Sequence, residues 1–585
     1  MIYDLLDTYR KNDDGDRMAI ESYSLKDGLY FRLDTSNNEV DELLLNKDVL
    51  RDGKLYNWFR KAEYYSRLIE MNKPVDSKKQ IHSNNIYSIF IKHDTLILDG
   101  TVSPKFIESI DRYFYTLENP KSDEKSDNLL AKYYLPENNK ETIQRNKQYV
   151  LSKIDWLVDR VLSYNFKTNI YIKIFFNASI EEYKNESIRY LIPKIFNNNN
   201  YNIETNGTIY GLSNNNMGLN AKKPYLEHKT TNYKVPFRIT LDDALEVKSL
   251  FEWLESQSEN NKPVHYGYIP ISSEDQFSFS SKITDETNSH YIHLEKGIKS
   301  IVDDYDFLPG ITDKIEPFQL NNYLCLPDFN EEYITSRKTL ESKVDDLLYN
   351  KNLIKNYNID KPKIRADFSS RHVDLLNMSK IAMHNYFCKC DDSSIRSCID
   401  RISLALIKES LFICSYKILE KSSVASAINL RLSMLKYFRI GGKEGMGDIV
   451  RGLSQIMKEK IIDNKTDEYK QCDSDSEFYF SSGQLTRYLI SCSQAERVNY
   501  NIIDPILNAR DSRKIKNEVM KLIDKYSHAL STKSSRLNNL ISMVMGYEPE
   551  SPDKVLHDIF LAGFASKNLI YYKEKEESKN EKNNE

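Results

Sequence analysis

The hydrophobic pattern of this chain changes near residue 360, and this change limits the folds open to it. Beyond that point apolar residues recur at three- and four-residue steps, the period of α-helices that bury one face. The segments with this pattern are residues 395–419, 424–438, 448–462, 482–493, 513–530, 534–545 and 552–566. Strand signals almost vanish there. The C-terminal third is therefore predicted to be an all-α helical bundle.

The part of the chain before residue 350 has a mixed pattern. Residues 86–98 and 169–176 are rich in β-branched and aromatic residues, and Ile170, Ile172 and Ile174 alternate as in a half-buried strand. Helical periodicity appears at residues 55–69, 104–117, 140–162 and 241–256. The predicted fold class is α+β, with a mixed α/β N-terminal region followed by the helical bundle.

The length of 585 residues predicts at least two domains, because single cores rarely grow beyond about 300 residues. We expect an α/β region at residues 1–350 and a linker at 351–377. The helical bundle follows at 378–572. Residues 573–585 are charged and lack apolar anchors, so a disordered tail is predicted.

Several bulk features favour a cytoplasmic protein. No run reaches the roughly 18 apolar residues of a membrane span, and the first residues contain no basic region followed by an apolar run. The seven cysteines are irregularly spaced, unlike a disulfide framework. We predict a cytoplasmic protein with reduced thiols and no membrane partner.

Charge is distributed unevenly along the chain. The formal net charge is −4, yet residues 351 to 460 contain 20 Lys and Arg against 11 Asp and Glu. Clustered cations are favourable beside phosphates because they release counterions. A solvated helix surface accounts for the same count equally well, so both interpretations stay open.

The sequence contains no convincing catalytic motif. The glycine-rich loop 441–447 follows a predicted helix rather than a strand, and it has Glu444 where a phosphate-binding Walker loop needs Ser or Thr. His290 and His293 lack the Glu of zinc peptidases, and no GxSxG elbow occurs. We predict a protein that is not an enzyme and needs no cofactor. A nuclease whose residues converge from distant positions stays the alternative.

A metal site is a further alternative. His384, Cys388, Cys390 and Cys398 supply zinc-binding atoms within a short stretch. Their spacing matches no common zinc finger, and a small thiol also suits the buried face of a helix. We therefore predict free thiols rather than ligands.

Residues 210–229, YGLSNNNMGLNAKKPYLEHK, form an unusual asparagine-rich segment. Its amides both donate and accept hydrogen bonds, so they can read base edges. Its lysines can contact phosphates or intrude between strands, and its methionine can wedge against an unstacked base pair. A simple surface turn is the alternative. The predicted base-reading residues are Asn214, Asn215, Asn216 and Asn220, and the wedge or phosphate residues are Met217, Lys222 and Lys223.

This segment, together with FYFSSGQLTRYLISCSQAE and LNNLISMVMGYEPE, resembles the large-subunit family of type I-B CRISPR Cascade complexes, the Cas-eight-b or Csh-one family. The similarity extends over most of the chain, to LAGFASKNLIYY near its end. The resemblance implies a non-catalytic, antiviral subunit that recognises the protospacer-adjacent motif in double-stranded DNA. It also implies that the subunit promotes unwinding and R-loop formation and recruits the helicase-nuclease. The implied partners are guide CRISPR RNA, target double-stranded DNA, the Cascade backbone subunits and a small subunit.

The resemblance also implies a path for a displaced strand or for the guide along the helical bundle. The basic residues expected to line this path are Arg431, Lys436, Arg439, Lys443 and Arg451. In systems of this type a small subunit is translated from an internal start, for which Met446 is the candidate because it precedes a predicted helix capped by Asp448. Met434 is the alternative start. An interaction scaffold without nucleic-acid contact is the competing functional class.

Overall fold

The chain folds into two compact units in a computed structural model. The first unit comprises Met1–Ile283 with Thr287–Gly310, and the second comprises Thr284–Glu286 with Ile311–Glu585. The structure describes residues 2–12, 16–120, 124–133, 135–136, 139–166, 169–212, 227–259, 266–271, 277–283, 286–296, 300–359, 361–364, 368–413, 423–462, 469–494, 500–531 and 533–572.

The first unit is built around a mixed sheet. Its described helices are α1 (Ile2–Arg10), α2 (Arg17–Ser22), α3 (Lys54–Ser66), α4 (His93–Leu96), α5 (Pro104–Glu118), α6 (Glu124–Ala131), α7 (Lys140–Ser152), α8 (Ile154–Ser163), α9 (Ile180–Leu191) and α10 (Leu241–Glu259). Its described strands are β1 (Gly28–Leu33), β2 (Val40–Leu45), β3 (Ser88–Lys92), β4 (Ile97–Leu98), β5 (Thr101–Val102), β6 (Tyr171–Phe176), β7 (Ile203–Thr205), β8 (Thr208–Gly211), β9 (Ile239–Thr240), β10 (Tyr266–Pro270), β11 (Thr287–Lys296) and β12 (Ser300–Ile311).

The central sheet has the strand order β2-β1-β6-β3. Strand β1 pairs with β6 in parallel, whereas β2 and β3 pair antiparallel at the two edges. Both faces of the sheet are buried. Ile172 and Ile174 pack into one hydrophobic core, and Phe175 packs into the other, so the alternation seen in the sequence separates two cores.

The predicted strand at residues 86–98 is shorter than expected. Strand β3 ends at Lys92, opposite Tyr171, the first residue of β6. With no partner strand to continue along, the chain turns into the single turn of α4. The predicted helix at residues 140–162 is likewise two helices, α7 and α8, which meet at Lys153.

The second unit begins with a β-hairpin and continues as helices. The hairpin is β13 (Lys314–Leu320) and β14 (Glu332–Ser336). The described helices are α11 (Arg337–Leu347), α12 (Ser370–Lys389), α13 (Asp392–Ile413), α14 (Ser423–Tyr437), α15 (Met446–Ile461), α16 (Asp475–Ser491), α17 (Asp504–Leu507), α18 (Ser512–Tyr526), α19 (Ser535–Gly546) and α20 (His557–Ala565). The predicted α+β class, with a helical C-terminal region, is confirmed. None of the helices in the described ranges combines the length and apolar character of a membrane span.

Helices α16 and α20 form the centre of the second unit. Every residue of α16 from Glu477 to Ile490 is buried. A Cβ atom added at Gly483 would lie 2.2 Å from the carbonyl oxygen of Phe560, and one added at Gly563 would lie 2.2 Å from that of Phe480. The two backbones therefore touch directly, and only glycine fits at this crossing.

Candidate nucleic-acid interface

The asparagine-rich segment can be followed to its two ends. Its central residues, 213–226, lie outside the described residues. These include every residue predicted to read bases or to act as a wedge, namely Asn214, Asn215, Asn216, Met217, Asn220, Lys222 and Lys223. The structure therefore bears on how the segment is anchored.

A single buried residue, Asn197, contacts both ends of the segment. Its backbone N–H donates a hydrogen bond to the carbonyl oxygen of Leu212 at 2.8 Å. Its side-chain amide lies 3.4 Å from Glu227 Oε1, to which it donates. Leu212 and Glu227 are themselves buried. The described residues at both ends of the segment therefore contact one residue, beside the small sheet of order β7-β8-β9.

Exposed apolar residues follow the segment directly. Tyr233 is 84% exposed, Val235 76% and Phe237 60%, and they alternate along the chain before β9. Lys234 lies among them and is also exposed. Aromatic rings interleaved with cations are typical of surfaces on which unpaired bases stack. This feature was not predicted from the sequence, although the alternation in NYKVPFR is its signal.

Arg431, predicted to contact a nucleic-acid backbone, is buried and only 1% exposed. Its guanidinium donates to Asp558 at 2.7 and 3.1 Å, to Asp400 at 2.6 Å and to the hydroxyl of Ser403 at 2.6 Å. Its donors are directed at groups inside the second unit, out of reach of a phosphate. The prediction for Arg431 is therefore wrong, and this residue has a structural role.

The other four predicted cations lie at or near the surface. Lys436 pairs with Asp448 at 3.2 Å, Lys443 with Asp400 at 2.8 Å and Arg451 with Glu331 at 2.9 Å. Arg439 is exposed and has no ion-pair partner within the described ranges. The pairs of Lys436 and Arg451 are exposed and weak, so a phosphate can compete for these two cations, whereas Lys443 also contacts the buried Asp558. Their contact with nucleic acid stays a prediction.

No known protein family, curated protein or solved structure matches the chain. The relation to type I-B large subunits accordingly stays a prediction from the quoted sequence motifs.

The histidines considered as catalytic candidates have structural contacts. His290 lies between the hydroxyl groups of Thr8, at 3.1 Å, and Tyr305, at 3.0 Å. His293 pairs with Asp303. Both rings are buried in the first unit, and burial lowers the pKa of His290 below its usual value. Each ring therefore has a polar contact within the first unit.

The four residues considered as zinc ligands have separate neighbours. Among the described side chains, no three His, Cys, Asp or Glu residues converge to hold a metal ion. The contacts are Cys388 Sγ to Glu341 Oε1 at 4.0 Å, Cys390 Sγ to the Thr312 carbonyl at 3.7 Å, Cys398 Sγ to the Ile395 carbonyl at 3.6 Å, and the His384 ring to Tyr357 at 5.1 Å between centroids.

Chelation is therefore expected to leave the melting temperature unchanged, because no bond to a metal would be lost. Purified protein can be heated with and without excess EDTA in differential scanning fluorimetry, with Cys388→Ala as a comparison. Stoichiometric zinc in the purified protein, or a lower melting temperature with EDTA, would contradict the thiol interpretation.

Proposed function

We propose that the chain is the non-catalytic large subunit of a type I-B CRISPR RNA-guided surveillance complex. In this role it recognises the protospacer-adjacent motif in double-stranded DNA and promotes unwinding and R-loop formation. It then recruits the helicase-nuclease that completes antiviral defence. The observation that carries the proposal is that both ends of the asparagine-rich segment contact Asn197.

A loop that reads DNA needs a rigid anchor, because its contacts to the edges of nucleobases depend on position within a fraction of an ångström. Closing the ends of the segment at one point also limits the conformations that binding must restrict, which lowers the entropy cost. The exposed rings of Tyr233 and Phe237, close to one end in sequence, would offer separated bases a surface for stacking.

Guide pairing would then read most of the target sequence, and this chain would read only the short motif. The partners in this scheme are guide RNA, target DNA, the Cascade backbone subunits and the small subunit. DNA cleavage would belong to the recruited helicase-nuclease.

A second candidate function is an interaction scaffold without nucleic-acid contact. The observation that favours it is the exposure of Tyr233, Val235 and Phe237, because adjacent exposed apolar residues also mark protein interfaces. The two candidates differ in one measurable property. A DNA-recognition subunit changes the affinity of the reconstituted complex for duplexes that differ in their motif, whereas a scaffold does not.

Replacing Asn214, Asn215 and Asn216 by alanine together is expected to abolish motif discrimination without unfolding the protein. Each good bidentate base contact contributes about 1–3 kcal/mol of discrimination, so losing them should flatten the preference. The measurement is binding of the reconstituted complex, with guide RNA, to a library of randomised motifs.

The matched control replaces three exposed asparagines elsewhere, Asn46, Asn377 and Asn517, and should keep the motif preference.

Replacing Lys222 and Lys223 together by glutamine should instead weaken binding to every duplex, whatever its motif. It should also lower the salt dependence of binding by about one unit of slope per lost phosphate contact. An unchanged preference in the Asn variant would refute base reading by these residues. Cleavage of labelled duplex by the purified chain with a divalent metal would favour the nuclease alternative.

A further inference from the structure

The first unit contains a cavity of about 630 Å³ beside its central sheet. Lys173 of β6 and Phe90 of β3 line it on the sheet side, and helices α3, α9 and α10 contribute the walls. This volume is within the range of about 300–1,000 Å³ found for small-molecule sites. None of the functions considered so far uses this cavity.

A buried carboxylate at the cavity wall is incompletely satisfied. Glu63 Oε1 receives hydrogen bonds from Lys173 Nζ at 2.6 Å and from the Tyr23 hydroxyl at 2.6 Å. Its second oxygen, Oε2, is buried and has no hydrogen-bond partner within the described residues. A buried carboxylate oxygen without a donor is costly, which marks this wall of the cavity as polar and incompletely satisfied.

A preorganised guanidinium lies in the same cavity wall. Arg67 is held between the rings of Tyr23 and Tyr64, at 4.7 and 4.6 Å from their centroids. It also contacts Glu252 at 2.8 Å, yet its side chain is 30% exposed. Lys248 binds the same carboxylate at 2.8 Å. Two cations therefore share the Glu252 carboxylate, and Glu255 is a second carboxylate that interacts with the charge of Arg67.

The lining as a whole has more cations than carboxylates, although Arg51 is paired with Asp27 outside the lining. It contains five cationic side chains against three carboxylates, and it is rich in aromatic rings. The cations are Lys26, Arg51, Arg67, Lys173 and Lys248, and the carboxylates are Glu63, Glu252 and Glu255. A purely apolar ligand would make no polar contact with these charged groups. A small inorganic anion would leave the rings and most of the volume unused.

We infer that this cavity binds a nucleotide, with its phosphate at Arg67 and Lys248 and its base among the tyrosine rings. A planar base fits beside Tyr171 and Tyr190, which line the cavity. The nucleotide is either free or the 5′-phosphorylated end of a strand, since both present the same groups. The site is distinct from the asparagine-rich segment.

The test measures nucleotide binding by the full chain without guide or partner subunits, so its outcome is separate from that of the motif assay. Isothermal titration calorimetry with AMP, GMP, CMP and UMP is expected to give saturable binding at one site for at least one of them. A 5′-phosphorylated tetranucleotide and its unphosphorylated form make up the second arm. Binding confined to the phosphorylated strand would identify the strand end as the source, and mononucleotide binding would identify the free form.

Arg67→Gln is expected to weaken binding at least tenfold. Because this change also removes the contact with Glu252, two further variants leave the inner ion pairs intact. Lys26→Gln removes a cation of the lining, and Ser187→Trp fills the space beside α9. Both should weaken binding, whereas Lys61→Gln, an exposed lysine of α3 outside the cavity, should not.

Three results would overturn the inference. One is the absence of saturable binding to every probe. Another is binding that all three cavity variants leave unchanged. The third is equal affinity for ribose 5-phosphate, which lacks a base and would reduce the cavity to a site for simple anions.

Discussion

Replacing Gly563 by leucine is expected to prevent the second unit from folding, and even Gly563→Ala should cost about 3 kcal/mol of its unfolding free energy. The magnitude is the upper end of the range for overpacked cores. The atom that a new Cβ meets, at 2.2 Å, is the Phe480 carbonyl oxygen of α16. Backbone cannot rotate away as a side chain can, so α16 and α20 must separate. Urea denaturation followed by circular dichroism measures the loss.

Gly452 provides the matched control for this substitution. It lies in α15, and a Cβ atom added there would meet nothing within 4 Å. Gly452→Ala is therefore expected to stabilise the protein by as much as about 1 kcal/mol, because alanine is the better helix former. Similar effects of the two alanine substitutions would show that the close crossing is not what limits stability.

Arg431→Met is expected to destabilise the second unit by about 3–5 kcal/mol, the usual cost of removing one partner of a buried ion pair. The change removes the closer ion-pair partner of Asp558, which is buried, and it leaves Asp400 paired with Lys443 alone. Arg431→Lys should recover little, because one ammonium group cannot reproduce a fork that contacts three residues. Measured by denaturation, Arg431→Met combined with Asp558→Leu should recover most of the loss. A stable single variant would contradict the structural role.

The difference between wild type and Arg431→Met should narrow in acid. Burial opposes the shift, but Lys443 and Arg431 hold the pKa of Asp400 below its ordinary value of 3.8. A carboxylate with a lowered folded pKa stabilises the protein above its unfolded pKa, and that contribution is lost as the pH falls. Because Arg431 supplies part of this contribution, the variant has less stability to lose as the pH falls below 3.8.

Parts of the fold were predictable because one face of each element is buried. The alternation in β6 predicted a strand correctly. Residues 370–377, the start of helix α12, were instead assigned to the linker. The rest of the helix fell in the predicted bundle but was not recognised as a helix, because Met378 and Ile381 are each 65% exposed and interrupt the apolar periodicity. Helix α16 was predicted to begin too late, since a helix buried on all sides has no polar face to mark its length. Its cap, Ser474, three residues before Glu477, was the available signal.

The candidate sites depended on pairings that a sequence does not display. Counting cations around Arg431 could not reveal Asp558, which is 127 positions away. The cavity of the first unit likewise joins Arg67 of one region to Glu252 of another. The asparagine-rich segment could be singled out because its unusual residues are adjacent in the chain.

The proposed internal start has a structural consequence. Helix α15 begins at Met446, and Gly445 occupies its capping position. Asp448, which was predicted to cap the helix, lies in the first turn instead. A polypeptide starting there would retain Asp558 but lack Arg431 and Lys443, which both contact it. Such a fragment would need a new counterion for that carboxylate.

The anchoring of the asparagine-rich segment at Asn197 has an evolutionary consequence if the segment reads DNA. Since both ends meet one buried residue, substitutions between them need not disturb the packing of the first unit. Recognition of a new motif could then arise from changes within residues 213–226 alone. Related chains would be expected to diverge fastest in this segment while retaining an equivalent of Asn197. Such divergence would let the protein recognise the altered motifs of viruses that have changed theirs.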